Sequence, residues 1–230
     1  MPVIILGAIV IGLMLGLMGS GGSILTVPVL VYGLGHDGKV AIAESLAIVG
    51  GIAAATMLPY ARSRLVNWRN VLYFGVPGMG GTYLGAWLSH YVGSTFQLMP
   101  FAVVMIVAAV LLLRSKLAEP SDGSLEGADD RISVNSAKPK AVWIIAIEGV
   151  VVGIITGLVG VGGGFLIVPA LVIFGKLPMR VAIGTSLAVI AMKSFSGFYK
   201  YLDVLETLGE SVDWTTVAVF VLIGAVGSFA

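Results

Sequence analysis

One residue pattern occurs twice in this 230-residue chain, and it constrains the fold more than any other feature. Gly16-Leu17-x-Gly19-x-Gly21-Gly22-x-x-Leu25-x-Val27-Pro28 returns 141 positions later as Gly157-Leu158-x-Gly160-x-Gly162-Gly163-x-x-Leu166-x-Val168-Pro169. The same offset, without a gap, aligns Val40-Ala41-Ile42-x-x-Ser45-Leu46-Ala47 with Val181-Ala182-Ile183-x-x-Ser186-Leu187-Ala188. Further on, Val66-Asn67-Trp68 pairs with Val212-Asp213-Trp214, now offset by 146. Chance similarity between apolar segments gives scattered Leu and Ala matches. It does not keep a glycine cluster, a proline and an Asn/Asp-Trp helix start in order, so the chain is an internal duplication.

Composition says where such a duplicate resides. Apolar residues make up 58% and charged residues 11%, with a mean hydropathy of +1.05. A soluble domain carries roughly 25% charged residues, and this chain has too few to cover a surface in water. A net charge of +1 supplies no basic face for nucleic acid. Without Cys, disulfides, thiol nucleophiles and Cys-ligated metal centres are excluded. Glycine, 32 residues, is about twice its usual share of roughly 7%, as closely packed transmembrane helices require. The expected fold class is an all-α integral membrane protein.

Apolar stretches fall at 2–34, 40–60, 71–91, 96–113, 141–174, 181–199 and 217–230. Several match the 17–25 residues of a membrane-crossing helix. The first lacks a basic n-region and a cleavage site, and reads as mature structure. Segments 2–34 and 141–174 are too long for one crossing, and each is broken by its glycine cluster with a proline shortly after, Pro28 and Pro169. Broken backbone inside a bilayer survives only where it is buried in protein or lines a polar cavity. Each break therefore reads as a pair of half-helices facing a substrate, with a tight turn between packed helices as the alternative. The organisation expected is a first repeat at 1–113, a hydrophilic linker at 114–140 and a second repeat at 141–230. Aligning Val71 with Val217 leaves Ala230 opposite Leu84, so the second repeat reads as truncated.

Orientation follows Lys and Arg. Loop 61–70 holds Arg62, Arg64 and Arg69, and the linker holds Arg114, Lys116, Arg131, Lys138 and Lys140, so both are expected in the cytoplasm. Loop 200–213, the counterpart of 61–70, has one Lys against Asp203, Glu206, Glu210 and Asp213. Equivalent loops of opposite bias predict repeats of opposite orientation, each opening with a glycine-broken helical hairpin.

Catalytic motifs are absent: there is no HExxH and no Gly-x-Ser-x-Gly, and His36 and His90 lie outside the apolar segments. The glycine clusters lack the Lys-Ser/Thr of a phosphate loop and the acidic residue of a dinucleotide site. No catalytic residue, metal or cofactor is expected. Without a cluster of buried Arg or Lys, a small anion would be held by backbone N–H groups and helix N-terminal dipoles at the breaks. The candidate substrate residues are Gly19, Ser20, Gly21, Gly22 and Ser23 in the first repeat, and Gly160, Gly162, Gly163 and Gly164 in the second. Ser45, Thr185 and Ser186, early in the helix after each break, either complete that polar site or bond back to their own helices. Three ionisable residues lie inside apolar segments, where each is expensive unless paired or hydrated: Glu44, Glu148 and Lys193. They are candidates for ion coupling. Glu44 and Lys193 either pair with each other near the outer face or snorkel to it. Glu148 is either a proton-binding group or a solvated interfacial acid.

At these residues the sequence resembles the TauE/SafE family of sulfite/organosulfonate exporters. The resemblance rests on the glycine cluster and proline of 157–169, on Ala182-Ile183-Gly184-Thr185-Ser186-Leu187 and on the duplicated layout. Glu44, where the family pattern usually has Thr, and Lys193 depart from it. The resemblance implies a multi-pass secondary carrier in the bacterial inner membrane for sulfite, an organosulfonate or a related small anion. It implies coupling to protons or another ion, no nucleic-acid partner, and leaves self-association open. An anion channel, a membrane-embedded enzyme and a structural subunit without transport are the rival classes. A channel needs a sustained polar stripe, and an enzyme a convergent catalytic set. Neither is present in the sequence.

Overall fold

The computed structural model describes residues 22–91, 142–159 and 177–228, with the single positions 7, 9, 11, 164, 167, 168 and 171. Among the described residues every regular element is helical. Helix α1 (Gly22–Pro28) opens at the last glycine of the first cluster and passes at Pro28 into a π-helical turn, Val29–Gly33. Helices α2 (Gly38–Arg62) and α3 (Trp68–Ser89) lie in the first of the two segments that the sequence pattern relates. Helices α4 (Val142–Val159), α5 (Met179–Leu208) and α6 (Trp214–Ser228) belong to the second. Segment 96–113, the linker, and Gly19, Ser20, Gly21, Gly160, Gly162 and Gly163 lie outside the described residues.

The helix ends are written locally. Asp37 caps α2 by accepting from the Lys39 N–H at 3.0 Å, and Asn67 caps α3 by accepting from the Asn70 N–H at 3.2 Å. Asp213 caps α6, accepting from the Thr215 and Thr216 N–H groups at 3.0 and 3.3 Å. Gly209, at φ 73°, stops α5 in the left-handed conformation that glycine adopts without a Cβ penalty. Helix α5 therefore runs nine residues beyond the apolar segment expected to end at Tyr199, and its loop shrinks to 209–213. Among the described residues two helices, α2 and α5, are long and apolar enough to cross a membrane. At about 1.5 Å per residue they measure about 37 and 45 Å, against a hydrocarbon core of about 30 Å.

These two helices form the centre, and they run antiparallel. A Cβ on Gly50 of α2 would stand 3.1 Å from Ser194 Cβ of α5, while one on Gly184, near the start of α5, would meet Tyr60 near the end of α2. Helix α3 packs along α5, and α6 along α2. Helices α3 and α4 run parallel in a seam so close that their glycines touch backbone. A Cβ at Gly149 would lie 2.7 Å from Phe74 O, and one at Gly81, Gly85, Gly153 or Gly157 would land on the carbonyl of Val150, Ile154, Gly78 or Thr82 respectively. Ala41, Ile42, Leu46, Ile48, Ile52, Leu187, Val189 and Ile190 fill the core. Leu72, Val76, Leu84, Trp87 and Leu222 point outward, as lipid-facing side chains do, and Trp68 and Trp214 stand exposed at the starts of α3 and α6.

Candidate functional site

The contacts between the two halves come in matched pairs. Asp213 N–H donates to Glu44 Oε1 at 2.9 Å, and Asn67 N–H donates to Thr185 Oγ1 at 3.0 Å. The sequence duplication aligns Asn67 with Asp213 and residue 44 with residue 185. Each repeat thus offers the side chain early in its long helix to the capping residue of the other. The exchange continues along the same helices. Gly51 meets Val221 as Met192 meets Gly75, and Thr56 bonds Ser228 at 2.8 Å as Gly197 meets Thr82. Position by position, the partners trade places under the offsets 141 and 146.

Glu44 is the first position where the match carries extra chemistry. Its carboxylate is 0% exposed and also takes His36 Nδ1 on Oε2 at 2.6 Å. Thr185 satisfies the equivalent N–H with a hydroxyl alone. A cleft of about 220 Å³ opens beside the pair, lined by His36, Asp37, Val40, Glu44, Glu210, Ser211 and Asp213. Within it the Thr216 hydroxyl, bonded to Asp213 Oδ2 at 2.6 Å, holds the Asp213 carboxyl below the usual carboxylate range. Sequence reading passed over His36 because it lies outside the apolar segments. The spacing His36–Glu44, joined by the turn before α2, was the only available signal.

Lys193 is the second. It is 1% exposed, and its Nζ has no hydrogen-bond partner and stands over the Phe74 ring at 5.8 Å. The expected Glu44–Lys193 pair does not form, and both side chains are buried. Because α5 continues to Leu208, Lys193 lies near its middle rather than near its end. Gly50 opposite Ser194 sets the level of Lys193 with residue 51, seven residues or about 10 Å along α2 from Glu44.

The hydroxyls bond back to their own helices: Ser45 Oγ to Ile42 O and Ser186 Oγ to Ile183 O, each at 2.8 Å. Ser194 Oγ is buried without a partner. Of the glycine clusters, Gly22 starts α1 together with Ser23, and Gly164 is helical and buried. Glu148 lies on α4, one residue before the seam glycine Gly149, with its side chain outside the described residues. Among the described residues no group of three or more His, Asp or Glu is placed to hold a metal ion.

A helical bundle with exposed apolar sides, glycine-tight seams and two buried ionisable residues, Glu44 and Lys193, fits a membrane transporter. The comparisons with known proteins agree on that class. Residues 4–230 match the family described as Sulfite exporter TauE/SafE, and the chain belongs to this family. It is 32% identical to the Probable membrane transporter protein of Xylella fastidiosa (strain 9a5c), over 94% of this chain and 78% of that protein. It is 29% identical to the Probable membrane transporter protein YunE of Bacillus subtilis (strain 168), over 90% of this chain and 79% of that one. No solved structure matches it.

Proposed function

We propose that the protein is a secondary-active carrier of a small anion, such as sulfite, an organosulfonate or a related sulfur-containing anion, across the bacterial inner membrane. Its two repeats have opposite orientation, and the substrate binds where their glycine-broken hairpins meet. The observation that carries this reading is the exchange of contacts between the halves. Equivalent helices that run antiparallel while trading equivalent partners have the relation expected of inverted repeats about an axis in the membrane plane. In carriers of that build the site lies near the midplane, and the halves rock about it. The family supplies the chemistry, since its description names sulfite export. Glycine at the breaks lets backbone N–H groups reach the anion, and the starts of the following helices add about half a positive charge each. The His36–Glu44 couple, with Glu148 as a further candidate, serves ion coupling.

Purified protein in proteoliposomes, loaded with sulfite, thiosulfate, organosulfonates or carboxylates under an imposed proton gradient, tests the reading. Accumulation of one anion class, saturable and driven by the gradient, is expected. Gradient-independent, non-saturable flux identifies a channel, and no flux of any of them refutes the proposal. Gly21→Val and Gly163→Val should abolish binding in protein that still folds in detergent, while Ser20→Ala and Ser23→Ala weaken it less. Orientation is tested separately with single Cys residues in a chain that has none. An impermeant reagent on intact cells should label Ser211→Cys and spare Ser63→Cys. The opposite pattern overturns the orientation.

A further inference from the structure

We infer that Lys193 is the fixed cation of the anion site. The inference rests on the transport reading above and names the residue that reading lacked. The first argument is charge. A buried ammonium without a counter-ion is among the most expensive groups a bilayer-embedded bundle can hold. Here Nζ has no hydrogen-bond partner, and the ring face of Phe74 at 5.8 Å replaces little of what water gave it. Two of the described acids have other partners. Glu44 is held by His36 and the Asp213 N–H, and Asp203 pairs with Lys200 at 3.0 Å. The missing partner is an anion that comes from outside the chain.

The second argument is position. Gly50 stands opposite Ser194, and the duplication turns that pair into Ala53 opposite Ala191. The midpoint between them, where the repeats exchange, falls at residues 51–52 of α2 and 192–193 of α5. Lys193 is therefore level with the centre of the molecule's internal two-fold relation. A second buried polar atom without a partner, Ser194 Oγ, is its neighbour.

The third argument is the internal comparison. The equivalent position of the first repeat is Ile52, fully buried. Packing at this point therefore needs only an aliphatic side chain, and the ammonium serves something other than the fold. The lysine stem lies along Gly78 of α3, where an added Cβ would stand 3.0 Å from Cδ and 3.2 Å from Cε. That glycine, having no Cβ, makes room for the lysine stem between α3 and α5. A small oxyanion, with several acceptor oxygens and one or two charges, matches an ammonium with three donors.

The test is sulfite binding to the detergent-purified full chain, by calorimetry and by the sulfite-dependent rise in melting temperature. Lys193→Met and Lys193→Ile should fold and melt no lower than the unsubstituted protein, because an unpaired buried charge has been replaced by apolar packing. They should bind sulfite at least tenfold more weakly and lose the sulfite-dependent rise. Lys193→Arg should recover part of the binding. Gly78→Ala, which crowds the stem and keeps the charge, should weaken binding several-fold, and it serves as the readout if the lysine variants do not fold. Undiminished sulfite binding in Lys193→Met or Lys193→Ile, or in Gly78→Ala where those fail, overturns the assignment and leaves the transport reading intact. An unsubstituted protein that binds and moves none of sulfite, thiosulfate, methanesulfonate and acetate overturns both.

Discussion

Gly80 and Gly81 are neighbours on α3, and alanine should act on them in opposite directions. Gly80 faces outward, with nothing within 4 Å of a built Cβ. Gly81 lies in the seam, where a Cβ would stand 3.0 Å from the carbonyl carbon and Cα of Val150 and closer still to the oxygen. Contact below 3.4 Å forces neighbours to move, and here the neighbour is helix backbone rather than a flexible side chain. The oxygen contact obliges the seam to open by roughly 1 Å along its length, and overpacking against backbone falls in the upper part of the usual range, at about 2–3 kcal/mol. Alanine in a helix regains about 1 kcal/mol over glycine at either position. Gly80→Ala should therefore stabilise by about 1 kcal/mol, and Gly81→Ala should destabilise by about 1–2 kcal/mol. At about 2–4 °C per kcal/mol for a chain of this size, the two midpoints should lie about 5–10 °C apart. Thermal unfolding in detergent, followed by helical circular dichroism, reads the difference. Equal shifts in the same direction would refute the close seam and the parallel register of α3 and α4.

The matched contacts give the remaining predictions. Glu44→Thr copies the second repeat and should keep most of the stability, whereas Glu44→Leu orphans the Asp213 N–H and should lose about 1–3 kcal/mol by denaturant unfolding. In a double-mutant cycle His36→Ala and Glu44→Gln should couple by about 1 kcal/mol or more, while Glu44→Gln and Lys193→Met should add within about 0.5 kcal/mol. The Asp213 carboxyl, held below its ordinary value chiefly by the Thr216 hydroxyl, contributes stability above an unfolded pKa of about 3.9 and loses it as pH falls through the lower folded value. Thr216→Val should thus shift acid unfolding, followed by tryptophan fluorescence, to higher pH.

Much of the architecture was legible in the residues. The helix starts at Asn67 and Asp213 and the central helices 40–60 and 181–199 are written in local signals: capping side chains and apolar run length. Helix α5 was misjudged because its last turns, from Lys200 to Leu208, are amphipathic and read as loop when only apolarity is followed. Tyr201, Val204 and Leu205 are buried there, and the stop signal is Gly209 rather than the first charge. That error moved Lys193 to a helix end and produced the pairing with Glu44. The His36–Glu44 contact was hidden for a different reason. It joins a loop residue to a helix residue, and no periodicity relates the two. The exchange of partners between repeats was legible only in part. Alignment shows that two segments are equivalent, but not that each seeks the partner of the other.

The repeats also act as controls for one another. Where the two halves carry the same kind of residue, the reason is structural. Ser45 and Ser186 both bond back three residues, and Asn67 and Asp213 both cap a helix and give their own N–H to the opposite half. Where the halves differ, one member shows what packing alone requires and the other what has been added. Thr185 meets the structural demand at its position with one hydroxyl, and Glu44 adds a carboxylate and a histidine. Ile52 meets it with an aliphatic side chain, and Lys193 adds an ammonium. The additions have opposite sign and lie on opposite repeats, one at the end of the central helix pair and one at its middle. They are too far apart to neutralise each other. On the proposed reading, the roughly 10 Å between the two additions along the helix pair would keep ion coupling apart from anion binding, and a carrier that must release its anion would need that separation.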